Sequence, residues 1–238
     1  MPKAVPSRSQ HPIPSGGSPV HIPAPHGRLE AHFREARTDT PRGAAVLCHP
    51  HPQHGGTMHT KAVFRSAQAM NEAGLHVLRF NFRGVGSSTG TYDGGEGEQD
   101  DVRTALEWLR EEHPHLPLAL GGFSFGSMVG LRVGLGDPRV LALLGLGLPV
   151  EMYDLDFLDS PSKPLLVVQG EEDEFGPGPA IARAVEGWGN LVELVRVPDA
   201  DHYFHDHFDE LKDAVRHWFQ EGAGARALGR GSSATVPS

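Results

Sequence analysis

Cysteine is almost absent from this chain: its 238 residues hold one, Cys48. A single thiol excludes an intramolecular disulfide framework and fits a reducing compartment, so a cytoplasmic protein is expected. Long apolar runs are missing too. No stretch approaches the roughly 20 residues that a membrane-spanning helix needs. The opening residues are rich in Pro, Ser and His and lack the apolar core of a secretory signal. Basic charge is also scarce. The formal net charge is −9, and no Lys/Arg cluster is there to displace counterions from phosphates, which excludes nucleic acid as a partner. What remains is 38% hydrophobic and 21% charged, the balance of a globular domain large enough for one real core. Three segments are expected: a flexible arm over 1–18, a folded domain over 19–221, and a disordered Gly/Ala/Ser-rich tail over 222–238.

Short apolar runs alternate with amphipathic segments, the pattern of a parallel sheet with crossover helices and hence an α/β fold. Residues 20–23 and 29–37 flank a Pro-His-Gly turn and read as an antiparallel hairpin. Runs at 44–48, 76–80, 116–121, 140–146, 164–169 and 191–197 read as buried strands. Between them lie helical spacings: Val63, Ala67 and Met70; Val102, Ala105, Leu106 and Leu109; residues 127–133 and 180–185; and Phe208, Leu211, Val215, Trp218 and Phe219. Asp100 and Asp101 are expected in the acidic first turn of the second helix. The connection between the runs at 140–146 and 164–169 is too short for an inserted cap domain.

The chemistry concentrates at Gly122-Phe123-Ser124-Phe125-Gly126, a G-x-S-x-G motif between a strand and a helix. A serine on such a sharp turn exposes its hydroxyl as a nucleophile. It needs a base, and the base needs an orienting acid. The run at 164–169 leads into Gly170-Glu171-Glu172-Asp173-Glu174, with Asp173 as the expected acid and Glu172 and Glu174 as local alternatives. The run at 191–197 leads into Asp201-His202-Tyr203, with His202 as the expected base. His205 and His207 are rivals placed at the start of the last helix. An oxyanion needs two backbone N–H donors. Phe125, the residue after the nucleophile, supplies one. The loop His49-Pro50-His51-Pro52-Gln53-His54 should supply the other, and its prolines have no N–H. His51 is therefore the expected second donor, with Gln53 next.

Together these motifs, with Gly55-Gly56-Thr57-Met58 and Asn81-Phe82-Arg83-Gly84-Val85-Gly86-Ser87-Ser88, resemble the α/β-hydrolase superfamily. More narrowly, the chain is similar to small bacterial serine hydrolases related to dienelactone hydrolases, over roughly residues 20 to 220. The resemblance implies an eight-stranded, mostly parallel sheet without a cap domain, a Ser-His-Asp triad, and ester hydrolysis with no cofactor. Dienelactone hydrolases carry cysteine at the elbow, whereas this chain carries Ser124, so their substrate is not implied. The expected substrate is a short-chain or small soluble acyl ester, with Met58, Phe123 and Tyr203 as apolar walls.

Two other classes compete. His49-x-His51-x-Gln53-His54 has the spacing of the metal-binding H-x-H-x-D-H motif of the metallo-β-lactamase fold, which suggests a metal-dependent hydrolase. Its acidic position is Gln53, and a metal leaves Ser124, Asp173 and His202 unexplained, so no metal ligand is expected. A non-catalytic binding protein on a hydrolase fold is the other; such proteins usually lose a triad residue, and all three are here. Gly84-x-Gly86 lacks the third glycine of a dinucleotide loop, since Thr89 stands there. Cys48 reads as a core residue.

Overall fold

The structure, a computed structural model, describes residues 17–233. The chain begins with a hairpin of β1 (Ser18–Ala24) and β2 (Gly27–Arg34). There follow β3 (Gly43–Cys48), α1 (Lys61–Glu72), β4 (Leu75–Phe80), α2 (Glu96–Glu112) and β5 (Leu118–Phe123). The second half holds α3 (Phe125–Gly136), β6 (Val140–Leu146), β7 (Leu165–Gly170), α4 (Gly178–Trp188), β8 (Val192–Val197), α5 (Phe208–Gln220) and α6 (Ala223–Ser233). The eight strands form one sheet in the order β1-β2-β4-β3-β5-β6-β7-β8. β1 and β2 run antiparallel to their neighbours, and all other pairs are parallel.

Every residue of β3, β4, β5 and β7 is buried. That burial on both faces is why these strands read as largely apolar runs rather than alternating ones, interrupted by His76 and Arg79 in β4 and by Gln169 in β7. One face packs against α2, α3 and α4 through Val102, Leu106, Val129, Leu131 and Ile181. The other packs against α1, α5 and α6 through Val63, Met70, Leu211, Val215 and Trp218. The chain leaves β3 towards β4 on one side and returns past it to β5 on the other. In such sheets ligands bind at the carboxyl ends of the strands, where the winding reverses. Between β6 and β7 the chain carries only a short 3-10 turn, Asp156–Leu158, and no lid. Among the described residues no helix is long and apolar enough to cross a membrane.

Three expectations need correction. The tail expected to be disordered from residue 222 forms α6 as far as Ser233. Its small residues permit this: Gly224 lies so close to the Trp218 indole that a side chain there would overlap the ring, while Ala225 and Leu228 are buried. Strand β5 starts two residues later than expected, beyond Pro117, which lacks an N–H and offers its carbonyl to Ala44 N–H (2.9 Å). Asp101 is no solvated first-turn charge, because α2 begins at Glu96. Instead it is buried and accepts from Arg83 N (2.8 Å), Arg83 Nη2 (2.9 Å) and His26 Nε2 (2.9 Å). This brace secures the glycine-rich segment 81–88 to α2. The expected arm over 1–18 lies outside the described residues, except for Gly17 and for Ser18, which opens β1.

Candidate active site

Ser124 stands between β5 and α3 with φ 55° and ψ −122°. A side chain at positive φ costs roughly 1–2 kcal/mol, so the surroundings must hold it there. Its N–H donates to Leu146 O at the end of β6 (2.9 Å). Below it, the buried Ser127 hydroxyl donates to Gly122 O (2.6 Å) and accepts from Leu146 N–H (3.1 Å). The two motif glycines let these segments close up. A Cβ on Gly122 would overlap the Gly126 carbonyl, and one on Gly126 would overlap the His49 carbonyl. The start of α3 therefore sits directly on the end of β3. Phe125 is the first residue of α3, so its N–H has no acceptor within the helix.

Asp173 and His202 meet beside this elbow. His202 Nδ1 lies 2.8 Å from Asp173 Oδ2, and both side chains are buried. The carboxylate also accepts from Phe175 N–H on Oδ1 (2.8 Å) and from Gln169 Nε2 on Oδ2 (2.8 Å). With a full set of donors, a carboxylate buried at 0% exposure can be held without a counter-charge. The imidazole is wedged between rings: Phe123 at 4.9 Å, Phe175 at 4.7 Å and Tyr203 at 5.2 Å. A Cβ on Gly147 would come within 3.2 Å of His202 Cε1. Leu146 and Gly147 thus touch Ser124 on one side and His202 on the other, which brings the three residues together. The Asp173–His202 half is hydrogen-bonded; among the described residues no hydrogen bond reaches Ser124 Oγ. Glu172 and Glu174 are exposed, His205 is turned to Asp201 (2.6 Å) and His207 precedes α5, so none of these alternatives enters the site.

The loop after β3 supplies a third wall. His51 Nδ1 accepts from Gln53 N–H (3.2 Å), and His51 O accepts from His54 N–H and Gly56 N–H (3.1 Å each). Gln53 is thereby occupied, and the His51 N–H has no acceptor among the described residues. Its ring packs on Phe125 (4.9 Å), and its Nε2 lies 3.3 Å from the Tyr92 hydroxyl. Burial, then the neighbouring His54, holds the His51 imidazole below its ordinary pKa.

His49 has a different task. Its Nδ1 donates to Pro50 O (2.6 Å) and its Nε2 accepts from Phe82 N–H (3.0 Å). Both nitrogens are committed, so His49 has no lone pair for a metal, and among the described residues no group of three ligating side chains is assembled. Burial pushes its pKa down to about 4 from 6.5. A depressed histidine stabilises the fold fully above the unfolded value and loses that contribution as pH falls towards the folded one. His49 should thus cost about 3 kcal/mol of stability between pH 6.5 and 4. His76, lowered to about 4 chiefly by burial, acts in the same window. Urea melts at neutral pH and near pH 4.5 check this: the midpoint should drop sharply, and an unchanged midpoint would contradict it.

Two expected substrate walls are not walls. Met58 and Phe123 are both 0% exposed. Met58 is held under the loop by its N–H to Asn81 Oδ1 (2.8 Å), and Phe123 lies beneath the imidazole. Tyr203, at 45% exposure, does face solvent beside His202. Cys48 is buried and burial pushes its thiol pKa up, so it is an inert core residue. Gln169, Ser127 and Tyr92 were not anticipated. Gln169 carried a usable signal, as the one polar side chain in the run Leu165-Leu166-Val167-Val168-Gln169 just before the acid.

Comparison with known proteins agrees with this architecture. The family model described as serine aminopeptidase, S33, matches residues 39–147. An α/β serine hydrolase homologue from Coxiella burnetii superposes with a TM-score of 0.81 at 34% identity, over 88% of this chain and 99% of that one. A lidless α/β serine hydrolase from Xanthomonas campestris does so with a TM-score of 0.79 at 33% identity, over 96% and 99%. A monoacylglycerol lipase of Mycolicibacterium smegmatis is 30% identical over 187 residues, and the match spans 64% of this chain and 64% of that lipase. With an eight-stranded sheet, no lid and a serine elbow at the strand ends, this chain belongs to the α/β serine hydrolases.

Proposed function

We propose that the protein hydrolyses carboxylic esters through an acyl-enzyme on Ser124. The observation that carries the reading is the buried Asp173–His202 contact of 2.8 Å beside a serine held at φ 55°. Ser124 Oγ attacks the acyl carbon while His202 Nε2 takes its proton. Asp173 keeps the imidazole proton on Nδ1 and stabilises the imidazolium that forms. The Phe125 and His51 N–H groups, neither with another acceptor among the described residues, receive the developing oxyanion. Collapse breaks the bond to the alkoxide, which takes the proton from His202. Water, deprotonated by the same imidazole, then attacks the acyl carbon; the bond to Ser124 Oγ breaks as His202 returns the proton to it, and the carboxylic acid leaves. No step calls for a metal or cofactor. Ester hydrolysis also fits the name of the monoacylglycerol lipase relative.

The substrate class follows from the open approach. The segment between β6 and β7 carries no helix beyond a short 3-10 turn, and Tyr203 stands at the mouth half exposed. A buried methylene is worth about 0.8 kcal/mol, roughly fourfold in kcat/KM per carbon. A long chain lying on an open surface keeps its methylenes in water and gains little of this. Across 4-nitrophenyl esters, kcat/KM should therefore level off or fall beyond butyrate. A steady rise to the long-chain esters would indicate a buried acyl channel. In the same assay turnover should survive a chelator, and a fluorophosphonate should label Ser124 in the folded protein. Loss of activity with chelator, restored by zinc, would favour metal chemistry; absence of any adduct would favour a binding protein.

A further inference from the structure

We propose that Gln169 is a positioning residue for the Asp173–His202 pair, an inference that rests on the triad reading above and extends it beyond the three reacting groups. Gln169 is the penultimate residue of β7 and is 0% exposed. The four residues before it are Leu and Val. An aliphatic side chain there would bring no polar group of its own, whereas a buried amide must have all its hydrogen bonds made or lose stability.

The amide meets that demand with the segments that converge on His202. Its Oε1 accepts from Leu148 N–H (2.8 Å). Its Nε2 donates to Asp173 Oδ2 (2.8 Å) and to Gly176 O (2.9 Å), with Leu148 O farther off at 3.3 Å. The orientation is settled by its partners. A flipped amide would set its NH2 against the Leu148 N–H and its oxygen against the Asp173 carboxylate, two repulsive contacts in place of two bonds. One side chain thus joins the acid, the turn that follows it and the segment leaving β6.

The consequence lies in how the carboxylate is held. Oδ1 is fixed by Phe175 N–H, and Oδ2 is shared between His202 Nδ1 and Gln169 Nε2. Gln169 therefore stops the carboxylate from rotating about its Cβ–Cγ bond and sets the line along which Oδ2 meets the imidazole. It also draws on the charge of that oxygen. With Gln169 removed, Oδ2 is left to His202 alone and holds the protonated imidazole more tightly. The rings of Phe123, Phe175 and Tyr203 pack around the imidazole. Asp173 is the carboxylate in hydrogen-bond contact with it, so the change is felt at His202.

The test uses the full chain and two variants. Gln169→Leu removes both the donation and the acceptance, while Gln169→Glu keeps an oxygen for Leu148 N–H and loses the amide donor. Three quantities are read: kcat and KM with 4-nitrophenyl acetate across roughly pH 5 to 9, the low-field proton resonance of His202 Nδ1–H by NMR, and the melting temperature. For Gln169→Leu, kcat should fall about 10- to 100-fold with little change in KM. The acid limb of kcat/KM should move to higher pH, and the low-field resonance should shift. Gln169→Glu should recover activity relative to wild type as pH falls, since a protonated carboxyl can again donate to Oδ2. A lowered melting temperature with unchanged kcat and an unmoved resonance would overturn the proposal and leave Gln169 a polar plug. If Ser124→Ala retained ester turnover, the triad reading would fall separately. The resonance and its response to Gln169→Leu would still decide whether Gln169 orients the Asp173–His202 pair.

Discussion

Ser124→Ala is expected to lower ester turnover by about 10⁶-fold, the order that follows when a triad nucleophile is removed while the rest of the site stays in place. The loss is chemical rather than structural. Alanine keeps the Cβ, so the cost of φ 55° at this position is unchanged. The Ser124 N–H still donates to Leu146 O, and Ser127 still fastens the ends of β5 and β6. Ser124 Oγ makes no hydrogen bond among the described residues, so its removal leaves no buried partner unsatisfied. The variant should therefore melt within a degree or two of wild type. It should bind short esters without releasing acid. Turnover with 4-nitrophenyl acetate and a thermal melt on the same sample check both halves. Full turnover in a folded variant would remove Ser124 from the chemistry.

Asp173→Asn is expected to give the second large effect, about 10⁴-fold in kcat. Its physical course can be traced through the contacts. Both carboxylate oxygens accept hydrogen bonds: Oδ1 from Phe175 N–H, Oδ2 from His202 Nδ1 and Gln169 Nε2. Asparagine has one oxygen for these two places. With nitrogen at the Oδ2 position, it meets the Gln169 amide donor-to-donor and drives His202 to carry its proton on Nε2, where no serine proton can be accepted. With nitrogen at the Oδ1 position, the tautomer survives but the part-buried Phe175 N–H loses its acceptor, at about 1 kcal/mol or more. Either way the negative charge that stabilises the imidazolium is gone. Unlike Ser124→Ala, this variant should lose stability as well as rate. Turnover within tenfold of wild type would exclude Asp173 as the orienting acid.

How far the chain could be read in advance depends on what each feature rests upon. The central strands were legible because burial on both faces leaves largely apolar runs, as in Ala44–Val46 of β3. The Asp173–His202 contact could be anticipated because each residue follows its own strand, as Ser124 does, and a sheet delivers strand ends to one edge. His51 is a candidate donor by elimination, since prolines bracket it. The failures share a cause. Met58 and Phe123 were taken for walls because an apolar residue beside a reactive one looks the same whether it lies under it or faces outward. α6 was missed because glycine and alanine are poor in local signal, and their value appears only against Trp218, a residue that α5 presents to them. Asp101 was misplaced because its partners, His26 and Arg83, come from distant parts of the chain. Gln169 stood out in its strand, yet what it grips lies in two separate segments, at Leu148 and in the turn from Asp173 to Gly176.

The contact between Gly126 and the His49 carbonyl carries a consequence for timing. The N–H groups of Phe125 and His51 belong to the two backbone segments that this contact presses together. Neither segment has room to approach further, and the hydrogen bonds of the 3-10 turn at Pro52–His54 and the start of α3 keep both from parting. In water, dipoles must turn to meet a charge as it forms, and that turning is part of the barrier. On the proposed mechanism the two amide dipoles are held in place before any ester arrives, and the reaction would be spared most of the reorganisation that solvent would require.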